Sequence, residues 1–197
     1  MRSWRKGSVS LAVLILAIAA AASGQSAKSN AGVKKAVAQR ANELTLAGLR
    51  PGKDAMVRAR QLNQKMDPKS STHDKQTTWL DPCHKQLLAV DFDDEQKIQV
   101  IRAAEVPTTA DCIAVQRSAW KTGRGLRVGD SASKLAGLYG EPDSRSPSTK
   151  GGQPLELWYY AFDWAGADVP QVMEVLCTVE AGQPGRVVEI TLAAPSL

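Results

Sequence analysis

Three segments near the end of the chain constrain it most. "PLELWYYAFDW" at 154–164 places Trp158, Tyr160, Phe162 and Trp164 at alternate positions, with Leu157, Tyr159 and Ala161 between them. Successive side chains of a strand point to opposite sides, so this pattern predicts a strand whose two sides are both largely apolar. Residues 171–179 and 186–193 repeat the alternation and predict an antiparallel pair joined by a polar turn rich in glycine and proline. Strands of this composition must bury at least one side, so the chain is committed to a sheet packed on another layer.

A second feature is an internal repeat. "GLRPGKDAMVRA" at 48–59 matches "GLRVGDSASKLA" at 125–136 at Gly48, Leu49, Arg50, Gly52, Ala55 and Ala59, which correspond to Gly125, Leu126, Arg127, Gly129, Ala132 and Ala136. In the second copy Asp130 or Ser131 can cap a helix, Leu135, Leu138 and Tyr139 share one helix face, and Gly140 with Pro142 stops it. Gly129 permits the tight entry turn. Such a helix has about two turns and cannot stand alone. The first copy predicts a helix near 53–65, a short strand around Thr77–Leu80, and strands near 86–92 and 97–103. The fold class that follows is α+β: two similar modules, each a short helix plus an antiparallel sheet of three to four strands. The first would occupy 44–104 and the second 122–197, with 105–121 as a linker. A segment at 25–43 would be helical, with Val33, Val37, Ala41 and Leu44 on one side.

The first residues predict a compartment. Arg2, Arg5 and Lys6 precede an apolar run from Leu11 to Ala22, and Ala20, Ala22 and Gly24 offer small residues for cleavage. The run of about 12 residues suits a signal peptide at 1–24 and falls short of the roughly 20 that a membrane span needs. The expectation is an exported chain, periplasmic or extracellular, with no membrane span in its mature form. Losing the three cations of 1–24 lowers the net charge from +5 to +2, so bulk charge gives no argument for nucleic acid. Residues 25–60 concentrate positive charge and leave the rest acidic.

Export permits disulfides. The three cysteines, Cys83, Cys112 and Cys177, allow three single pairings. Turn chemistry before Cys83 (Asp81-Pro82) and before Cys112 (Pro107 to Asp111) favours Cys83–Cys112. Cys177 shares a strand side with Met173, Val175 and Val179, which suits a buried thiol.

The turn at Gly125, Gly129, Asp130 and Ser131, followed by Leu135, Tyr139, Gly140 and Pro142 and then by strands, resembles the small modules of the β-lactamase-inhibitor-like and outer-membrane-assembly small lipoprotein (SmpA/OmlA) group. The duplication looks like the inhibitor proteins in particular. That resemblance implies a non-catalytic exported protein acting through a sheet surface. The chain departs from the lipoproteins in lacking a lipid-attachment cysteine. Its first half also lacks the "YGEP" ending of the second.

Chemical readings of the remaining motifs are weak. Ser131 to Lys134 has S-x-x-K spacing, but no S-D-N occurs and Lys121-Thr122-Gly123 precedes the serine. A phosphate loop would need lysine where Asp130 stands. His73, Asp81, Cys83 and His84 offer metal-binding atoms without the spacing that zinc requires. "DFDDE" at 91–95 lacks the calcium-loop pattern and reads as a hairpin turn. No catalytic residue, metal ligand or cofactor is therefore assigned. The aromatic stripe stands out: with Leu157 and Tyr159 toward the helices, Trp158, Tyr160, Phe162 and Trp164 would face outward, and an exposed aromatic patch marks a binding site. The expected function is protein binding through that stripe. The alternatives are a cell-envelope assembly or structural factor docking through the basic segment, and an enzyme of unknown type.

Overall fold

A computed structural model describes residues 42–71, 75–107, 119–163 and 170–194, all within the unit Ala38–Leu197. The expected signal peptide at 1–24, residues 25–41 of the expected helical segment, His73, positions 108–118 of the expected linker, Cys112 and Trp164 lie outside the described residues. Helix α1 (Met56–Leu62) is followed by strands β1 (Lys69–Ser71), β2 (Gln76–Asp81), β3 (Gln86–Phe92) and β4 (Ile98–Glu105). Helix α2 (Ala132–Tyr139) is followed by β5 (Ser144–Lys150), β6 (Gln153–Asp163), β7 (Pro170–Glu180) and β8 (Gln183–Ala193).

The strands make one eight-stranded sheet in the order β1-β2-β3-β4-β8-β7-β6-β5, with every neighbouring pair antiparallel. This corrects the expectation of two modules with separate sheets of three to four strands. The join is β4 to β8, with Ile101 opposite Leu192 and Ala103 opposite Ile190. Left apart, each strand would present a row of unpaired amides and carbonyls, and pairing them satisfies both edges. The core is correspondingly single. One buried row crosses six strands: Trp79, Leu88, Ala103, Ile190, Val175 and Trp158 are successive partners.

The helices are short and depend on the sheet. In α2 the Ser131 hydroxyl accepts from the Lys134 amide at 3.2 Å, and Gly140 ends the helix with φ of 75°. Leu135 and Tyr139 point into the core. Helix α1 is shorter than the expected 53–65. Its N-cap, Ala55, has no side-chain oxygen, and Asp54 instead accepts from the Arg50 amide at 2.7 Å. At its other end the Asn63 side chain donates to the Ala59 carbonyl at 2.9 Å.

The internal repeat has a local meaning. Gly52 and Gly129, with φ of 71° and 93°, turn the chain so that their amides meet a closing strand. The Gly52 N–H donates to the Ile98 carbonyl at 2.7 Å, and the Gly129 N–H to the Val187 carbonyl at 2.8 Å. Ile98 and Val187 donate in return to the carbonyls of Asp54 and Asp130. The repeated sequence is thus a turn that docks on a strand, and it does not divide the molecule into two bodies.

Strands β1 and β5 are not legible in the sequence. "KSS" and "SRSPSTK" carry no apolar alternation, because both strands are edges with little to bury. Pro147 sits on β5, where an edge tolerates a missing amide donor.

Candidate functional site

The two sides of the sheet differ. One carries the core and both helices. The stripe expected to face outward lies on that side: Trp158, Tyr160 and Phe162 are 2%, 0% and 1% exposed. This overturns their assignment as a binding surface; Trp164 is outside the described residues. The physical reason is packing. The Tyr160 and Phe162 rings stack with centroids 6.1 Å apart, and Tyr139 of α2 meets them at 5.8 and 6.0 Å. The indole N–H of Trp158 donates to Glu156 at 2.6 Å, and the Arg145 guanidinium covers its ring at 3.9 Å.

The other side lies outside the core cluster and carries no helix among the described residues: its Ala89 and Ala104 are buried and its larger apolar residues half-buried, and we call it the open side. Two partner rows floor it. Leu80, Leu87, Ala104, Glu189, Leu176 and Leu157 form one, and Thr78, Ala89, Arg102, Thr191, Glu174 and Tyr159 the other. Leu157 and Tyr159, expected to face the helices, lie half-buried here. The sequence held a signal for this assignment. In β7 and β8 the positions Glu174, Glu189 and Thr191 interleave with Met173, Val175, Ile190 and Leu192, which fixes the buried side. The register then carries that choice to β6, where Tyr160 faces Met173.

Glu189 is the pivot of the open side. Its carboxylate pairs with Arg102 Nε at 3.3 Å and with Lys150 Nζ at 2.5 Å. Lys150 belongs to β5, three strands away from β8. In a flat sheet three spacings of about 4.8 Å would separate them. The contact therefore requires the sheet to curl, with the tip of the β5–β6 hairpin turned over the open side. Beneath it lies a cleft of about 470 Å³, lined by Leu87, Ala89, Ala104 and Leu176 among others. A second hollow of about 780 Å³ shares Val106 and Lys150 with it and adds Lys85, Glu105, Leu155, Arg186 and Val188. Arg186 grips Glu105 with both terminal nitrogens, at 2.5 and 3.3 Å. The Glu105 carboxylate, by hydrogen bond and charge, pushes the Arg186 guanidinium above its ordinary range. An apolar floor ringed by paired charges is suited to recognition by contact and ion pairing.

The other sequence candidates are structural in this fold. Asp130 accepts from the Arg127 amide at 2.8 Å and pairs with Lys134 at 2.8 Å, so the S-x-x-K residues serve the helix start. Asp81 accepts from the amides of Cys83 and His84 and pairs with His84 Nδ1 at 2.8 Å, closing the β2–β3 turn. Among the described residues no three His, Cys, Asp or Glu side chains gather where they could hold a metal. In "DFDDE", Asp93 accepts from the amides of Glu95 and Lys97, and these donors pull its carboxyl below the usual range.

Sequence reasoning missed Glu43. It is 2% exposed, and its carboxylate accepts from the amides of Leu44, Thr45, Gly123 and Arg124 and from the Tyr139 hydroxyl at 2.6 Å. Its partners Gly123, Arg124 and Tyr139 lie eighty or more positions away, and no local pattern announces such a contact. Burial first, and the Glu43 carboxylate second, push the Tyr139 phenol far above its ordinary range. Cys177 is a buried free thiol, pushed up to about 12 by burial.

No helix among the described residues is long and apolar enough to cross a membrane. No protein-family model and no curated protein matches the chain. Among solved structures it is similar to a DUF4309 family protein, YjgB, from Bacillus subtilis subsp. subtilis str. 168. The identity is 13% and the TM-score 0.43, covering 75% of this chain and 82% of the other.

Proposed function

We infer that this chain is an exported, non-catalytic protein-binding module that acts through the open side of its sheet. The observation that carries the reading is the curled cleft over β3, β4, β8 and β7, where half-buried Leu87 and Leu176 lie beside ion pairs, with half-buried Leu157 and Tyr159 next to it on β6. A sheet side whose large apolar groups stay partly accessible is the kind of patch that partners cover. The test is affinity purification with the chain from residue 25 onward as bait, followed by reconstitution with the purified partner. Leu176→Arg and Tyr159→Asp should abolish the complex and leave the melting temperature in place. A substitution at exposed Val179, outside the cleft, should change neither. A complex that survives both open-side variants overturns the reading.

Export carries a covalent expectation. Cys83 should be bridged to Cys112 and Cys177 should stay reduced, since a strand position inside the core gives a thiol no partner. A bridge closing about 30 residues contributes about 3.5 kcal/mol in the chain-entropy description. Peptide mapping without reductant reads the pairing, and a bridge to Cys177 would refute it. The secreted protein's first residue, following Ala22 or Gly24, checks the signal peptide.

A further inference from the structure

We propose that the adjoining clefts on the open side bind a small amphipathic anion: an apolar body seated on the sheet and a carboxylate or similar acid held at the rim by Lys85. The proposal rests on the reading that the open side is a binding surface, and names a ligand class for it.

Three observations converge. The first is size. The hollows of about 470 and 780 Å³ share Val106 and Lys150, so they adjoin, and each falls in the range of about 300–1,000 Å³ that small-molecule sites occupy. The second is the floor. Leu87, Leu155, Leu176, Val106 and Val188 line the two hollows, giving an apolar body a surface to displace water from.

The third is charge. The lining carries four cations, Lys85, Arg102, Lys150 and Arg186, against two carboxylates, Glu105 and Glu189. The carboxylates are already engaged, Glu189 by Arg102 and Lys150 and Glu105 by Arg186. Lys85 makes no ion pair among the described residues and projects from the β2–β3 turn beside the larger hollow. Its backbone is fixed at both atoms, since its carbonyl accepts from the Val106 amide at 3.0 Å and its amide donates to Pro82. A cation on an anchored turn, at the mouth of an apolar hollow whose acids are neutralised, is complementary to an anion with an apolar tail. A cationic or neutral ligand would leave that charge unanswered.

The experiment is calorimetric titration of the folded chain from residue 25 onward with decanoate and with decan-1-ol, which share a tail and differ in charge. Decanoate should bind with one-to-one stoichiometry and decanol at least about tenfold more weakly, the factor that one charged hydrogen bond of about 1.5 kcal/mol supplies. Added salt should weaken decanoate alone. Lys85→Glu should lower decanoate affinity by about tenfold or more while decanol binding and the melting temperature stay put. Equal affinity for the two ligands overturns the proposal, as does the absence of saturable decanoate binding. If decanoate fails while the protein complex still depends on Leu176 and Tyr159, only the ligand class is lost. If decanoate binds and no partner complex depends on the open side, the protein-binding reading is the one that fails.

Discussion

Ser131 gives its hydroxyl to the helix it begins, and the neighbouring residues divide the remaining work. Leu135 is fully buried, so Leu135→Ala should cost about 2–5 kcal/mol. Ser131→Ala should cost about 1 kcal/mol as a lost cap. Lys134→Ala loses only a half-exposed ion pair and should stay within about 1 kcal/mol of the parent. Gly129→Ala meets no atom within 4 Å, so its cost of about 1–3 kcal/mol is backbone strain at φ of 93°. Thermal melts rank the four, and a Lys134→Ala loss matching that of Leu135→Ala would contradict the assignment. Glu43 has larger consequences. Tyr139→Phe removes the bonds of its hydroxyl to the Glu43 carboxylate and to Thr122 Oγ1, of which the charged one alone is worth about 1.5–3 kcal/mol, whereas Glu43→Ala leaves that hydroxyl only Thr122 and takes the carboxylate acceptor from the amides of Leu44, Thr45 and Arg124, and should cost clearly more. The raised Tyr139 phenol also sets an alkaline limit. The native state holds this proton where the unfolded chain releases it, so stability is unaffected below about pH 10 and falls as pH rises beyond it. Ultraviolet difference spectra should show Tyr139 ionising only as the fold melts; ionisation in the native state near pH 10 would refute this.

Among the elements, β5 is the edge strand whose tip one ion pair ties back across the sheet. Strand β5 is an exposed edge with Pro147 in its middle. Lys150 to Glu189 ties its tip to β8. Lys150→Ala should cost no more than about 1 kcal/mol globally, because one partner is half-exposed. Its effect should instead be local, with faster hydrogen exchange in β5 and unchanged protection in β7 and β8. Unchanged exchange in β5 would show that the curl is held by the sheet alone. Element legibility followed the same logic. Strands β2, β3, β4, β6, β7 and β8 announce themselves because the core demands apolar residues from them. Strands β1 and β5 do not, because an edge places no such demand.

At the scale of the whole molecule, one continuous sheet with one covered side makes apolar residues of the same strand unequal. Met173 is fully buried and Leu176, on the same strand, faces the open side. Met173→Ala should therefore cost about 2–5 kcal/mol. Leu176→Ala should fall below that range; chemical denaturation of the pair reads the difference, and equal losses would place both in one core. Local sequence is enough to reveal that β6, β7 and β8 are antiparallel strands, that a turn at Gly129 and a cap at Asp130 or Ser131 open a short helix ended by Gly140, and that Cys177 is buried. Each of these rests on local chemistry: alternation, a cap, a left-handed turn, an apolar strand position. The assembled fold adds that β4 joins β8, that Trp158, Tyr160 and Phe162 are core, and that Glu43 holds Tyr139. Alternation tells which residues share a side of a strand but not which side the helices will cover. On β6 both sides are apolar, so the choice falls to strand register and to contacts between residues far apart in the chain.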